Sequence, residues 1–298
     1  MNRSDGIDPL EPLVALGIEG ITGVLPVSGG MDTLIWRVET VHGTYALRLF
    51  QPNQRDQYWR EIRAMEIVGT LGVPVPRITV HGMWGDRPAI LMEWCDGRTV
   101  LDEVQVHPER LEPLGESMGR LQARIHDMSV PQEYWEDHRS WLDMAGPDEA
   151  ELKKQLRAGG LRDGHPLHLD FHPLNVLCVG PEATVVLDWA NVTVGDPRAD
   201  VARTRSILRL AAPPSTVSSP GFDSIRATFE GAWMDGYTRL AGPLLNMELF
   251  EIWTEIVFMR DMEQYIGRPD FWMEPSDFDR VRDHIALLKR RAGLSQES

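Results

Sequence analysis

The sequence has few cysteines, no long apolar run and fewer basic than acidic residues. Cys95 and Cys178 are its only cysteines and form no CxxC pair, which excludes a disulfide scaffold or a zinc ribbon and favours a reducing compartment. No run of about 18 apolar residues occurs, and the N-terminal segment lacks an apolar signal core. We therefore expect a cytoplasmic protein without a membrane partner.

The charge balance narrows the classes of partner. Lys and Arg number 30 against 45 Asp and Glu, a formal net charge of −15, which disfavours binding to nucleic acid or to an anionic membrane. A cationic ligand is weakly favoured, although acidity that only keeps the protein in solution explains the charge equally well. With 298 residues, the chain can form one large domain or two lobes. The sequence leaves its oligomeric state open.

The pattern of apolar residues changes near residue 96. Strand-like alternation occurs at 34–40 and 45–50, and 88–94 is a nearly unbroken apolar strand. Between them, 55–72 has helical periodicity and is closed by Gly72. After residue 97 the periodicity is mainly helical, as at 111–128. A strand-rich first third and a helix-rich remainder predict a cleft that holds ligands.

The segment HLDFHPLNV at 168–176 has two interpretations. His168, Asp170 and His172 alternate, so on an extended strand they would point the same way, as ligands of a zinc ion do. Alternatively, Asp170 and Asn175 are the important pair, and the segment is a loop that carries a catalytic base and a magnesium ligand.

A third oxygen-bearing side chain supports the second interpretation. Asp188 ends the apolar run TVVLD, which we expect to form a hairpin with the strand at 175–179. Magnesium prefers hard oxygen ligands and binds through few protein groups together with substrate phosphates. Phosphoryl transfer needs such a metal site and, separately, a carboxylate that accepts the proton of the attacking hydroxyl. Asp170, Asn175 and Asp188 together meet both needs.

Three motifs in order carry a family resemblance. They are H-x-D-x-x-x-x-N at 168–175, V-V-L-D-W at 185–189 and G-D-P-R-A-D-V-A at 195–202. Together they resemble the aminoglycoside phosphotransferase/choline kinase family, and the first matches the catalytic loop of protein kinases. The resemblance implies an α+β, bilobal protein-kinase-like fold. It has a small antiparallel-sheet lobe at 1–95, a hinge at about 92–97 and a larger, mainly helical lobe at 96–298.

The resemblance also implies roles for individual residues. Asp170 is the catalytic base, Asn175 and Asp188 are the Mg²⁺ ligands, and His168 braces the loop through hydrogen bonds. Two further aspartates follow in the third motif. Asp196 precedes a proline and is predicted to cap a helix. Asp200 lies one turn inside that helix and is implied to hold backbone N–H groups of the catalytic loop; a solvated helix residue is the alternative.

The N-terminal lobe contains a candidate ion pair. Glu61 lies within the apolar helical stripe Tyr58, Met65 and Val68, where a carboxylate needs a cation. Arg48 on the strand at 45–50 occupies the place of the lysine that pairs with such a glutamate in protein kinases and touches the nucleotide phosphates. An arginine can also grip both carboxylate and phosphate. Unrelated surface positions for the two residues are the alternative.

Two further segments are implied to contact the nucleotide. Ser28, Gly29 and Gly30 lie in VSGGMDT, which resembles the loop over the phosphates, although it is not a G-x-G-x-x-G motif. Backbone groups of Glu93 and Cys95, in the hinge, would meet the purine edge.

The predicted reaction is transfer of a phosphoryl group from ATP or GTP to a hydroxyl of a small molecule, in which an aminoglycoside-like antibiotic is one candidate acceptor. A metabolite kinase on the same fold is the first alternative, with an amino alcohol, a sugar or a homoserine-like compound as acceptor. A nucleotide-binding protein without turnover and a His-dependent zinc hydrolase remain as further alternatives. Acidic residues on the C-terminal helices are equally well explained as ligands of substrate ammonium groups or as ordinary helix surface.

Overall fold

The computed structural model describes residues 6–27, 33–131, 140–210, 221–266, 268, 271 and 273–294. The chain divides into two compact units. The first comprises Met1–Gly97 together with Val185–Val192, and the second comprises Arg98–Thr184 together with Thr193–Ser298. The division after Gly97 lies at the end of the expected hinge, whereas nothing in the sequence indicates that residues 185–192 belong with the first unit.

The first unit contains a five-stranded antiparallel sheet. In chain order its strands are β1 (Ile21–Pro26), β2 (Leu34–Thr40), β3 (Gly43–Leu49), β4 (Ile78–Trp84) and β5 (Arg87–Glu93). Their order in the sheet is β1-β2-β3-β5-β4. In the register of the central strands, Arg48 on β3 lies opposite Ile35 on β2 and Ile90 on β5. The sheet therefore presents Arg48 from its middle strand.

Two helices accompany this sheet, α1 (Leu10–Ala15) and α2 (Arg55–Thr70). Leu13 of α1 packs with apolar residues of the strands into one core, which also contains Trp36, Val38, Leu47, Leu49, Ala89 and Leu91. Helix α2 ends two residues before Gly72, which has a φ of 86° and so takes the left-handed conformation that commonly follows a helix. The helix expected at 55–72 is confirmed, and it ends two residues earlier than expected, at Thr70.

The second unit is mainly helical. Its strands are short and form two small sheets: β6 (Arg98–Thr99), β8 (Val176–Val179) and β9 (Glu182–Val186, whose last two residues belong to the first unit) in one, and β7 (His165–Leu167) and β10 (Thr193–Gly195) in the other. Its helices are α3 (Val100–Val106), α4 (Leu111–His126), α5 (Ala150–Ala158), α6 (Pro197–Leu210), α7 (Phe222–Ala241), α8 (Glu248–Glu263) and α9 (Pro275–Arg291). Strand β9 ends at Val186, two residues before Asp188, so Asp188 follows the strand rather than ending it.

Helices α4 and α7 pack with their backbones in close contact. A Cβ atom on Gly119 would lie 2.0 Å from the Trp233 carbonyl oxygen, and one on Gly236 would lie 2.1 Å from the Glu116 carbonyl oxygen. Only glycine fits at these two positions. Trp233 and Trp253 are fully buried, as expected for core residues, while Trp272 lies outside the described residues.

Among the described residues, no helix combines the length and apolar character needed to cross a membrane. The fold class is confirmed as α+β, with a small antiparallel sheet in the first unit and a larger helical second unit.

Candidate active site

The loop between β7 and β8 brings Asp170 and Asn175 together. The Asn175 side-chain nitrogen donates to the backbone oxygen of Asp170 and to its Oδ2, each at 3.0 Å. The Asn175 backbone N–H donates to the His172 carbonyl oxygen at 2.8 Å, which closes the turn. Although the loop is tightly bonded, the Asp170 side chain keeps 31% of its surface exposed. A ligand can therefore reach the carboxylate.

Both loop histidines form hydrogen bonds inside the loop. His168 is fully buried, and its Nδ1 accepts from the Asp170 N–H at 3.2 Å. His172 Nδ1 accepts from the Leu174 N–H at 3.3 Å, and its Nε2 lies 3.1 Å from Asn175 Nδ2 and 3.4 Å from Asp170 Oδ1. The two Nδ1 atoms serve as internal acceptors, which disfavours the zinc interpretation. Within the described ranges, no three His, Cys, Asp or Glu side chains form a metal-binding group.

Neighbouring groups shift the pKa of Asp170. Burial by itself would raise the pKa of its carboxyl, but His172, His168 and Arg203 outweigh burial and hold the pKa below its ordinary range. Asp170 is therefore ionised at neutral pH. An ionised carboxylate beside the loop surface can accept a hydrogen bond from an alcohol.

Asp200 holds the backbone immediately before Asp170. Leu169 has a φ of 60°, a left-handed conformation that costs a non-glycine residue about 1–2 kcal/mol. The Leu169 N–H donates to Asp200 Oδ1 at 2.5 Å. Asp200 is fully buried on α6, so the solvated alternative for this residue is wrong.

The other oxygen of Asp200 accepts from two residues of α4. Gln122 Nε2 lies at 3.1 Å and His126 Nε2 at 2.8 Å from Oδ2. Burial would raise the pKa of Asp200, but His126, His168 and Gln122 outweigh burial, so the pKa lies below its ordinary value. These contacts stabilise the ionised form of a buried carboxylate that has no arginine or lysine partner in the described part of the chain.

The bonds continue from α4 to α7. His126 Nδ1 meets the Tyr237 hydroxyl at 2.8 Å, and Trp233 Nε1 donates to Gln122 Oε1 at 2.9 Å. The network thus links α7 to the backbone of the loop at 168–175 through α4 and α6. The motifs single out neither Gln122 nor His126, although Gln122 is a polar residue within the buried stripe of α4.

Asp196 lies at the start of α6, where the sequence predicts a cap. Its Oδ1 accepts from the Arg198 N–H at 2.9 Å, and its Oδ2 accepts from the Arg162 N–H at 2.8 Å. The Arg198 guanidinium also pairs with the carboxylate at 2.6 Å. Burial raises the pKa of Asp196, and these donors more than offset the rise. Asp196 therefore joins the segment before β7 to α6.

Within the first unit, Arg48 contacts two carboxylates. It pairs with Glu61 and with Asp188 Oδ2 at 3.3 Å, and its Nε donates to Thr33 Oγ1 at 3.2 Å. Burial would lower the pKa of Arg48, but the two acids outweigh it and raise the pKa. The structure thus brings the predicted Arg48–Glu61 pair together, and a surface position for either residue is excluded because both are buried.

Asp188 has a backbone conformation that is uncommon for a residue with a side chain. Its φ is 59° and its ψ is 71°, and Asp tolerates this region better than most residues. Its side chain is 34% exposed, and only Oδ2 takes part in the bond to Arg48. The turn after β9 thus presents a carboxylate that a ligand can reach.

The two candidate metal ligands have the donor chemistry that magnesium requires. The described hydrogen bonds of the Asn175 side chain all use Nδ2, which leaves Oδ1 as the atom for a cation. Asp188 likewise offers Oδ1. An amide oxygen and a carboxylate oxygen are both hard ligands suited to Mg²⁺.

Glu93, in the predicted hinge, forms a backbone hydrogen bond and an ion pair. The Glu93 N–H donates to the Arg77 carbonyl oxygen at 2.9 Å, and the Glu93 side chain pairs with Arg77. The Glu93 carbonyl oxygen, which meets the Cys95 thiol at 4.0 Å, is therefore the backbone group of Glu93 that remains a candidate for contacting a purine. Cys95 follows in irregular backbone after β5, and burial raises the pKa of its thiol. The predicted phosphate loop, Ser28, Gly29 and Gly30, lies outside the described residues.

Some of the acidic residues on the C-terminal helices have partners. Glu251 pairs with Arg205 at 2.8 Å, Glu255 meets His284 at 2.9 Å, and Asp261 pairs with Arg203. Asp270 lies outside the described residues. Glu251 and Asp261 therefore each have an arginine beside them, and Glu255 has an imidazole.

Comparison with solved structures supports the fold. The structure of a thermostable mutant of aminoglycoside phosphotransferase APH(4)-Ia, in a ternary complex with AMP-PNP and hygromycin B, matches with a TM-score of 0.67 at 13% identity, covering 97% of this chain and 100% of that one. Spectinomycin phosphotransferase APH(9)-Ia, in complex with ADP and spectinomycin, matches with a TM-score of 0.58 at 12% identity, covering 97% and 100%.

Sequence comparison gives a mouse relative. The chain is 31% identical over 172 residues to acyl-CoA dehydrogenase family member 10 of Mus musculus; the match spans 48% of this chain and 16% of the mouse protein's length. The profile of the family described as "Phosphotransferase enzyme family" matches residues 23–242, well over half of the chain. The chain therefore belongs to the phosphotransferase enzyme family.

Proposed function

We propose that the protein transfers the γ-phosphoryl group of ATP or GTP to a hydroxyl group of a small molecule. The observation that carries the proposal is the loop in which Asn175 donates to the backbone and side chain of Asp170. In this loop a partly exposed, ionised carboxylate lies beside an amide that offers its oxygen to a cation. Membership of the phosphotransferase enzyme family supports the same reaction class.

Asp170 acts on the acceptor hydroxyl. Its carboxylate accepts a hydrogen bond from the alcohol, aims the oxygen at the γ-phosphorus and takes the proton as the new O–P bond forms. The bond between the γ-phosphorus and the bridging oxygen breaks, and the nucleoside diphosphate leaves. Because the pKa of Asp170 is lowered, we expect orientation to matter more than basicity, as suits a loose transition state in which proton transfer is late.

Asn175 and Asp188 are the proposed ligands of Mg²⁺. When bound, the ion neutralises charge on the phosphate oxygens. Arg48, fixed by Glu61, is proposed to steady the nucleotide, and Ser28–Gly30 with the backbone at Glu93 and Cys95 are proposed to contact it. His168, Asp196 and Asp200 support the loop.

The acceptor is proposed to be an aminoglycoside-like compound. Two structures of similar fold hold hygromycin B and spectinomycin, and the net charge of −15 favours a cationic acceptor. An antibiotic-resistance role and a metabolite acceptor, such as an amino alcohol, are alternatives on the same site. Free Cys95 and Cys178 and the need for a nucleoside triphosphate support a cytoplasmic location.

A substrate panel with coupled detection of the nucleoside diphosphate tests the proposal. Aminoglycosides, spectinomycin, amino alcohols, sugars and homoserine are each offered with MgATP or MgGTP. With the best acceptor, Asp170→Asn should lower kcat by about 10²–10⁴-fold, while nucleotide binding changes little. The matched control is Asp279→Asn, which alters an aspartate with a 71% exposed side chain. Turnover by Asp170→Asn equal to that of the control would show that Asp170 is not the catalytic carboxylate.

A further inference from the structure

Leu169 is held on α6 through both of its backbone polar groups. Its N–H donates to Asp200 Oδ1 at 2.5 Å, and its carbonyl oxygen accepts from Arg203 Nε at 3.3 Å. Asp200 and Arg203 are three residues apart on one helix, so they share a face. The residue they hold has a positive φ and directly precedes Asp170. The family motifs account for Asp200 but not for Arg203.

Arg203 is itself fixed by a residue of α8. It is 5% exposed, and its Nη2 pairs with Asp261, whose side chain is 40% exposed. Its Nη1 is buried and has no hydrogen-bond partner among the described residues. A buried guanidinium is costly unless it is paired, so Asp261 offsets the cost of placing this charge beneath the catalytic loop.

The geometry points to Arg203 as a positioning residue for Asp170, with Asp261 as the group that holds Arg203 in place. Asp200 alone fixes one end of the Leu169 residue, so the loop can still rotate about that contact. The bond from Arg203 fixes the other end and so sets the direction of the peptide that leads into Asp170. This inference rests on the proposed role of Asp170 and adds a residue that the motifs do not contain.

Electrostatics supports the same assignment. The positive charge of Arg203 is one of the influences that lower the pKa of Asp170, after burial and the two loop histidines. Arg203 also lowers the pKa of Asp261, but there burial has the larger effect, so that pKa lies above its ordinary value. The positive charge of Arg203 therefore acts on both the proposed catalytic carboxylate, Asp170, and the Asp261 carboxylate on α8.

The first measurement does not depend on catalysis. Hydrogen exchange of peptides that cover residues 167–176 reports how firmly the Leu169 and Asp170 amides are held. We expect Arg203→Met to exchange in this segment at least about tenfold faster, the effect of losing about 1.4 kcal/mol of local stability. The matched control is Arg209→Met on the same helix; Arg209 pairs with Glu230 at 2.6 Å and should leave the exchange of 167–176 unchanged.

The second measurement uses turnover with the best acceptor of the panel. Arg203→Met should lower kcat by about 100-fold, the cost of misplacing a reacting group by roughly 1 Å, while the KM of MgATP stays within about threefold. Arg203→Lys should recover only part of kcat, because a single ammonium cannot serve both Leu169 and Asp261 in the way a planar guanidinium does.

Asp261→Asn provides a variant that should fold even if Arg203→Met does not, because Asp261 is partly exposed. It keeps an oxygen for Arg203 Nη2 but removes the charge, and we expect about a tenfold loss of kcat. Equal exchange and equal kcat in Asp261→Asn and Arg209→Met would overturn the inference. A panel without turnover would count against the proposed function alone, because the exchange result would still decide whether Arg203 holds the loop.

Discussion

Asp200→Asn is the substitution whose cost the structure defines most fully. The native carboxylate accepts from the Leu169 N–H, Gln122 Nε2 and His126 Nε2. An asparagine oxygen can replace Oδ1 toward Leu169. Its NH₂ group then faces two donors, so the bonds to Gln122 and His126 are lost or must be rearranged. Each buried polar group left unsatisfied costs about 1–3 kcal/mol, so the two together should lower the free energy of unfolding by about 2–6 kcal/mol.

Urea denaturation at pH 7, followed by tryptophan fluorescence, measures this loss. The variant should remain folded without denaturant if the protein has the ordinary stability of about 5–15 kcal/mol. Asp279→Asn is the control, because the same chemical change at an exposed side chain should alter stability by less than about 0.5 kcal/mol.

The pH dependence supplies the stricter test. The folded-state pKa of Asp200 lies below its ordinary value, so between the two pKa values the unfolded chain binds the proton that the folded chain does not. The native carboxylate therefore adds stability above about pH 4, the unfolded value, and that stability is lost as pH falls through the folded pKa. The difference in unfolding free energy between Asp200→Asn and the native chain should therefore become smaller as pH falls below about 4. A difference that stays constant from pH 7 to pH 3 would refute the reasoning.

Three further predictions concern other parts of the chain. Burial raises the pKa of Glu61 to about 7, so the native chain loses stability as pH rises through that value and Glu61 ionises. The melting temperature of Glu61→Gln should therefore rise relative to that of the native chain from pH 5 to pH 8. A difference in melting temperature that stays constant over this range would contradict the raised pKa. Gly119→Ala should lower the unfolding free energy by about 1–3 kcal/mol, because its Cβ would collide with the Trp233 carbonyl oxygen; an unchanged urea midpoint would show that the helices can separate at no cost. Asn175→Ala should raise the Mg²⁺ concentration for half-maximal turnover by about tenfold or more, and an unchanged magnesium titration would remove Asn175 from the metal site.

The extent to which the sequence predicts the site depends on how local each contact is. Asp170 and Asn175 lie in one tight loop, so their spacing alone brings them together. Glu61 could be found because a carboxylate in an apolar helical stripe needs a partner, and the structure supplies Arg48. The same reasoning applied to α4 would single out Gln122, a polar residue in a buried stripe.

Other contacts have no local signal. His126 meets Asp200 from 74 positions away, and Arg203 meets Asp261 from 58 positions away. Neither contact can be predicted from the periodicity of apolar residues, because both depend on how α4 and α8 pack against α6. Likewise β4 follows a proline-rich segment and has an irregular register with β5, so its alternation is weak in the sequence although it is one of the five strands.

Helix α6 provides much of the support of the loop that carries Asp170. Asp196 at its start, Asp200 four residues later and Arg203 three residues after that lie at helical spacing, and they contact the segments on either side of β7. Because one rigid element fixes these contacts together, the position of Asp170 does not depend directly on the surfaces of α7 and α9. Asp261 differs from the rest of the acidic helix surface, since a change there acts on the loop through Arg203.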